Sequence, residues 1–319
     1  YHMDFLNILF PVSGVKTNIL LPPLIAMFIS FFTSMAGISG AFLLLPFQMS
    51  VLNYTAPSVS GTNHVFNIFA IPSGVYRYIK EGRMAWPLTW VIIAGTLPGV
   101  FLGFHVRVLY LTDPKAFKFF VGCVLLYIGS RMVKELISKG KIKPSAAKAL
   151  EEKFKQHQSS RLTAGIPSHA VVKTKHISLK KIEYEFWGEI FSFNPIVMFV
   201  LSFVVGIIGG AYGIGGGAII APFCISLLHL PAYTIAGATL MGTFMTSIAG
   251  ALFYSIPLIV NNTSSMPDWP LGILFGIGGF AGMYIGARLQ KFVPQQLIKI
   301  ILGLIIIFLS IRYILQFFV

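Results

Sequence analysis

Two apolar stretches of 34 residues each, 19–52 and 195–228, are too long to cross a bilayer once and too short to cross it twice. A helix spanning the hydrocarbon core needs about 20 residues, whereas 34 residues in one helix would extend about 51 Å. Both stretches carry glycine in the middle: Gly37 and Gly40 in the first, and Gly209, Gly210, Gly213, Gly215, Gly216 and Gly217 in the second. Glycine is the least costly residue at which to open a helix. Each stretch therefore predicts two short helices joined at membrane depth.

Three apolar runs of ordinary spanning length follow each long one: 55–79, 85–111 and 115–137, then 232–260, 269–289 and 295–318. Only 11% of the residues are charged, against about 25% in a typical soluble domain. A cytosolic enzyme, a nucleic-acid binder and a secreted disulfide scaffold are excluded on that ground. The formal charge of +14 does not reopen nucleic acid, because 11 of the 24 Lys and Arg fall in the polar segment 138–190. Basic loops orient membrane proteins towards the cytoplasm, which accounts for the charge. Cys123 and Cys224 lie inside apolar runs and suggest neither a disulfide framework nor a zinc site. No cleavable signal peptide is expected, and Tyr1-His2 reads as an addition ahead of Met3.

The run lengths repeat, and so do the residues. Gly37-Ile38-Ser39-Gly40 with Pro46 matches Gly213-Ile214-Gly215-Gly216 with Pro222, and Gly61-Thr62-Asn63 matches Gly237-Ala238-Thr239, both at an offset of 176. Trp86-Pro87-Leu88 with Gly95, Gly99 and Gly103 matches Trp269-Pro270-Leu271 with Gly278, Gly282 and Gly286. Lys118, Gly122 and Arg131 match Lys299, Gly303 and Arg312. The chain divides into a first membrane repeat (1–137), a basic linker (138–190) and a second membrane repeat (191–319).

Loop charges orient these parts. If each long stretch returns to the face it entered, every repeat is a broken-helix hairpin plus three spans. With the linker cytoplasmic, Arg77, Lys80, Arg83, Arg288 and Lys291 are cytoplasmic too, while the loop 261–268, free of Lys and Arg, lies outside with both termini. Arg107, Lys115 and Lys118 are the misfit, falling near the outer face. An odd number of crossings gives the halves opposite orientations, an arrangement used by transporters. The expected fold is an all-α polytopic membrane protein of two inverted repeats with about ten helical segments. Within the linker, 145–158 predicts a polar helix and 171–181 a β-hairpin, the whole segment being an ornament replaceable over 141–185 by a spacer.

Small residues spaced by four let membrane helices approach, so the Gly95–Gly103 and Gly278–Gly286 ladders read as packing. The two breaks read differently. A backbone opened at the midplane exposes N–H groups that must face protein or a wet cavity, and the first turn of the returning helix suits an anion. Thr62, Asn63, His64 and Asn67, and in the second half Thr239, Thr243, Thr246 and Ser247, lie on the span after each hairpin. Asn63 and Asn67, like Thr239 and Thr243, are four apart and share a helix face; bonds between helices are the competing role. All ten Asp and Glu fall at span ends or in loops, which argues against a cation substrate or a metal site. Trp86, Trp90 and Trp269 fit the interfacial belt.

The Gly37-Ile38-Ser39-Gly40 and Gly213-Ile214-Gly215-Gly216-Gly217 motifs, Gly61-Thr62-Asn63, Gly237-Ala238-Thr239 and the glycine ladders resemble the sulfite exporter TauE/SafE family over both membrane halves. That resemblance implies a permease, not an enzyme, for sulfite or organosulfonates such as sulfoacetate and taurine-related compounds. Where a commoner family pattern reads Gly-Thr-Ser, this chain has Gly237-Ala238-Thr239, leaving Thr239 to supply the hydroxyl. The expected partners are a small sulfur anion and the lipid of an inner (plasma) membrane, without nucleic acid, cofactor or metal. The expected site lies between Ser39-Gly40 and Gly215-Gly216-Gly217, flanked by Thr62, Asn63, Asn67, Thr239 and Thr243. His64 and Arg77 stand as proton or gating groups. The alternative is a membrane scaffold whose glycines only pack helices.

Overall fold

Each half opens on antiparallel strands that lead into an apolar helix. In the first, β1 (Asn7–Phe10) pairs with β2 (Val15–Asn18) ahead of α1 (Leu21–Met35). In the second, β3 (Lys173–Ile177), β4 (Ile182–Phe186) and β5 (Glu189–Phe193) form a three-stranded sheet ahead of α7 (Pro195–Tyr212). Asn18 Oδ1 accepts from Leu20 N at 2.9 Å, and its repeat mate Asn194 accepts from Ile196 N at 2.9 Å and Val197 N at 3.2 Å. Asparagine side chains commonly satisfy the free amides of a starting helix in this way. The computed structural model describes residues 6–35, 38–137, 149, 153, 170–226, 228, 230–256, 259–260, 263–289 and 295–318.

The first half continues through α2 (Ala41–Ser50), α3 (Ser58–Ala70), α4 (Pro72–Lys80), α5 (Trp86–His105) with a π-helical extension (Val106–Tyr110), and α6 (Pro114–Ile137). The second continues through α8 (Gly217–Ser226), α9 (Ala232–Tyr254), α10 (Trp269–Leu289) and α11 (Gln295–Phe318). The chain is thus all-α within the membrane, and both 34-residue stretches are divided as expected. Among the described residues six helices are long and apolar enough to cross a bilayer: 86–110, 114–134, 195–212, 234–254, 269–286 and 300–318. One expected span differs. The run 55–79 forms two helices, α3 and α4, because Pro72 has no N–H to continue the ladder; Ile71 stays helical at φ −71°, so the chain carries on without a turn.

The halves interlock rather than fold side by side. α5 lies along α7, and their repeat mates α10 and α1 lie along each other; α6 pairs with its own mate α11. The glycine ladders are the reason. A methyl at Gly95 would lie 2.6 Å from Phe199 O, and one at Gly99 would lie 2.8 Å from Gly206 Cα. Gly282 sits equally close to the backbone of Met27, and Gly278 to that of Pro23. Close backbone approach at small residues is what holds membrane helices together where lipid offers no hydrophobic contrast. Phe28, Val200, Leu252, Phe280 and Phe308 are left exposed, as a lipid-facing surface requires.

Contacts between loops define two ends of the bundle. At one end, Ser13 between β1 and β2 donates to Asp268 Oδ2 from its Oγ (2.7 Å) and its N (3.0 Å), and the Asp268 amide donates to Thr62 Oγ1 at 2.8 Å. At the other, Val172 N donates to Gly82 O at 2.9 Å, and Tyr184 OH meets Thr234 Oγ1 at 2.9 Å. The start of α3 is therefore at the first end, whereas the start of α9, its mate, is at the second.

The linker corrects one expectation. The β-hairpin is a three-stranded sheet, and its inner face is part of the hydrophobic core: Ile182, Tyr184, Phe186, Phe191 and Phe193 are all buried. It is no replaceable ornament over its full length. Only β3 is exposed throughout. Lys175 pairs across the sheet with Glu185, and Lys181 pairs with Glu183 along the edge of β4; these hydrogen bonds hold both carboxyls below the usual carboxylate range. The expected polar helix at 145–158 lies outside the described residues, apart from 149 and 153.

Candidate functional site

The second break is a run of left-handed glycines. Gly213, Gly215 and Gly216 have φ of +91°, +69° and +89°, a region that side chains with a Cβ rarely enter. Gly213 N donates to Gly209 O at 2.8 Å and ends α7. α8 then starts at Gly217, whose N–H donates to Thr243 Oγ1 at 3.0 Å. A methyl at Gly215 would lie 2.6 Å from Thr243 Cγ2, so this turn is pressed directly against α9. At the first break, Ser39 Oγ accepts from Ala41 N at 3.3 Å and opens α2.

Polar side chains from α3 and α9 close on both breaks. Asn67 Oδ1 accepts from Ser39 Oγ at 2.6 Å, while its Nδ2 donates to Ser247 Oγ at 3.2 Å. Asn63 Nδ2 donates to Ala41 O at 3.0 Å and to Gly213 O at 3.1 Å. One amide thus ties the start of α2 in the first hairpin to the end of α7 in the second. Gln48 Nε2 approaches Asn63 Oδ1 at 3.4 Å, and His64 Nδ1 approaches Ser247 Oγ at 3.4 Å. All these side chains are buried. Asn67 and Thr243 are repeat mates, and each bonds the break of its own half.

Of the residues expected in the site, Ser39, Gly40, Asn63, Asn67, Gly215, Gly216, Gly217 and Thr243 lie at or against the breaks. Thr239 is beside them, its carbonyl 2.9 Å from a methyl position on Gly217, but its hydroxyl donates back to Ile235 O at 3.0 Å. Thr62 turns away towards Tyr54 OH (3.0 Å) and the Asp268 amide. His64 joins the cluster through Ser247 and packs against Gly250 and the ring of Tyr254. Arg77 does not come near: it is partly exposed and its Nε donates to Glu81 at 2.7 Å.

Three residues enter that the sequence reading left out of the site. Gln48 is a lone amide in an apolar ten-residue helix, and that isolation was its signal. Ser247 was visible in the polar run of α9 and proves to be its central acceptor. Arg107, which the sequence puts near the outer face of the membrane, is fully buried. Its guanidinium donates to Thr55 O at 2.8 Å, to Leu111 O and to Ser60 Oγ, and stacks 3.5 Å above Phe117. Ser60 in turn donates to Ala211 O at 2.8 Å beside the second break.

The described acids keep clear of this cluster. Glu81 serves Arg77 and Arg83, and Asp268, although buried, accepts from Ser13 and caps α10 through Leu271 N at 3.2 Å. Among the described residues no three His, Cys, Asp or Glu come together as a metal-binding group. What the breaks present is two helix starts, amides and hydroxyls, with a buried guanidinium nearby. That donor set solvates negative charge with none of the described carboxylates beside it to repel an anion.

The profile of the family described as sulfite exporter TauE/SafE matches residues 23–313. The chain is 22% identical over 286 residues to the probable membrane transporter protein YunE of Bacillus subtilis, covering 87% of this chain and 90% of that protein. It is also 31% identical over 105 residues to the probable membrane transporter protein YdhB of the same organism, covering 32% of this chain and 39% of that one. No solved structure matches significantly.

Proposed function

The chain belongs to the sulfite exporter TauE/SafE family of multi-pass membrane transporters, and from that premise we propose that it carries small sulfur-containing anions, sulfite or an organosulfonate, held at its two helix breaks. The observation that carries this reading is the convergence of Asn63 and Asn67 on both breaks at once. Sulfite and a sulfonate each offer three acceptor oxygens, and the first turns of α2 and α8, which Asn63 and Asn67 hold in place, offer backbone N–H groups. Bonds to a charged acceptor are worth about 1.5–3 kcal/mol each. The purified protein should bind sulfite or a sulfonate in titration calorimetry, and vesicles containing it should exchange that anion. Absence of binding to sulfite, sulfoacetate, taurine, thiosulfate and sulfate alike, by folded protein, would leave helix packing as the only role of the breaks.

The repeats are inverted in the membrane, with the linker cytoplasmic and both termini outside an inner membrane. Opposite placement of the starts of α3 and α9 supports the inversion. Sharing of one end by Gly82 and Val172 supports grouping the basic 77–83 segment with the linker. In a background lacking Cys123 and Cys224, Lys16→Cys and Met266→Cys should react with an impermeant thiol reagent added to intact cells, and Glu81→Cys and Leu179→Cys should be protected. Reaction of Met266→Cys and Glu81→Cys from the same side would refute the arrangement.

A further inference from the structure

Gln48 carries an acceptor that nothing among the described residues meets. Both Nδ2 hydrogens of Asn63 are committed to carbonyls, Ala41 O and Gly213 O, which can only accept. The orientation of the Asn63 amide is thereby fixed, with Oδ1 towards Gln48. Only the nitrogen of the Gln48 amide can face an acceptor, so Oε1 is the free end. It is buried, and no hydrogen-bond donor among the described residues reaches it. Buried acceptors are nearly always satisfied, and one that is not, a single residue removed from both helix breaks, calls for a donor from outside the chain.

The second half has no counterpart. The repeat mate of Gln48 is Cys224, whose Sγ lies 3.8 Å from Met198 Sδ in apolar surroundings. The acceptor therefore sits on one side of the site only, and a bare anion oxygen would be repelled by it. We infer that Gln48 makes the site selective for sulfur anions that bring their own hydrogen-bond donor: a sulfonate with an ammonium or hydroxyl group, or hydrogensulfite with its O–H. This rests on the reading of the breaks as an anion site and adds the part of the ligand opposite the charge.

A matched series tests it. Ethanesulfonate, isethionate and taurine share the sulfonate and two-carbon chain, and differ in bearing no donor, a hydroxyl or an ammonium. The full-length protein should bind isethionate and taurine roughly ten-fold or more tightly than ethanesulfonate, since a site built to bond a polar hydrogen rejects the analogue that lacks it. In Gln48→Met, of similar size, that gap should close. Equal affinity of all three for the unaltered protein would overturn the inference without any variant, and would mean that water satisfies Oε1. Discrimination that persists in folded Gln48→Met would assign selectivity to another residue and overturn it too. If none of the three binds, nor sulfite, the anion site itself falls.

Discussion

Gly99→Ala is expected to lower the melting temperature of the purified protein sharply, and Gly282→Ala to do the same at the equivalent place in the other half. The added methyl at Gly99 would meet Gly206 Cα at 2.8 Å and Gly206 C at 3.0 Å, and would press on the carbonyl of Phe203. These are backbone atoms of α7 and have no rotamer to move into. Overpacking commonly costs about 1–3 kcal/mol, and the upper end applies where two helix axes must part. Gly74→Ala provides the control. Its methyl would sit 3.4 Å from Leu240 Cδ1, an ordinary contact. There the better helix propensity of alanine, about 1 kcal/mol over glycine, should hold or raise stability. Thermal unfolding followed in detergent separates the two. Gly99→Ala and Gly74→Ala melting together would refute the packing account of the ladders.

Those ladders were legible because a membrane interface is written in residue size. So were the broken helices, since length and glycine placement alone decide whether an apolar run crosses once. The duplication reaches further than the glycines suggested: Asn18 and Asn194, at the same offset as the breaks, each accept from the amide two residues on as the chain enters the first helix of its half. The short strands were less legible. β1 and β2 have four residues each, too few for a pattern, and what fixes their hairpin is Ser13 reaching across the chain to Asp268. The linker sheet was read as polar because charge dominates 138–190, while its buried residues, Ile182, Tyr184 and Phe186, alternate over only five positions. The burial of Arg107 was not legible for a similar reason. A basic residue at a span end normally reaches for water, and only the fold shows that the 51–57 loop and the π-helical extension of α5 enclose it with carbonyls. Within the site, helix periodicity put Asn63 and Asn67 on one face. It could not tell Asn63 from Thr239, because equivalent positions in a repeat look equally placed.

The structure separates those two, and the separation yields the larger functional effect. Asn63→Ala is expected to weaken substrate binding by roughly ten-fold or more and to slow transport further, whereas Thr239→Ala should change either by no more than a few-fold. Removing the Asn63 amide leaves Ala41 O, Gly213 O and Gln48 Nε2 without their partner in one step. Each buried polar group left unmet costs about 1–3 kcal/mol. Two of the three belong to opposite hairpins, so the variant also loses the bond that sets one break against the other. Thr239 holds no such position: its hydroxyl returns to Ile235 O and Ala236 O of its own helix, and alanine there strands nothing between elements. Both variants should be measured for anion affinity by calorimetry and for flux in vesicles, with a thermal melt to establish that each is folded. Folded Asn63→Ala at undiminished affinity, or Thr239→Ala as the more damaging change, would move the anion away from the junction of the two hairpins and towards α9.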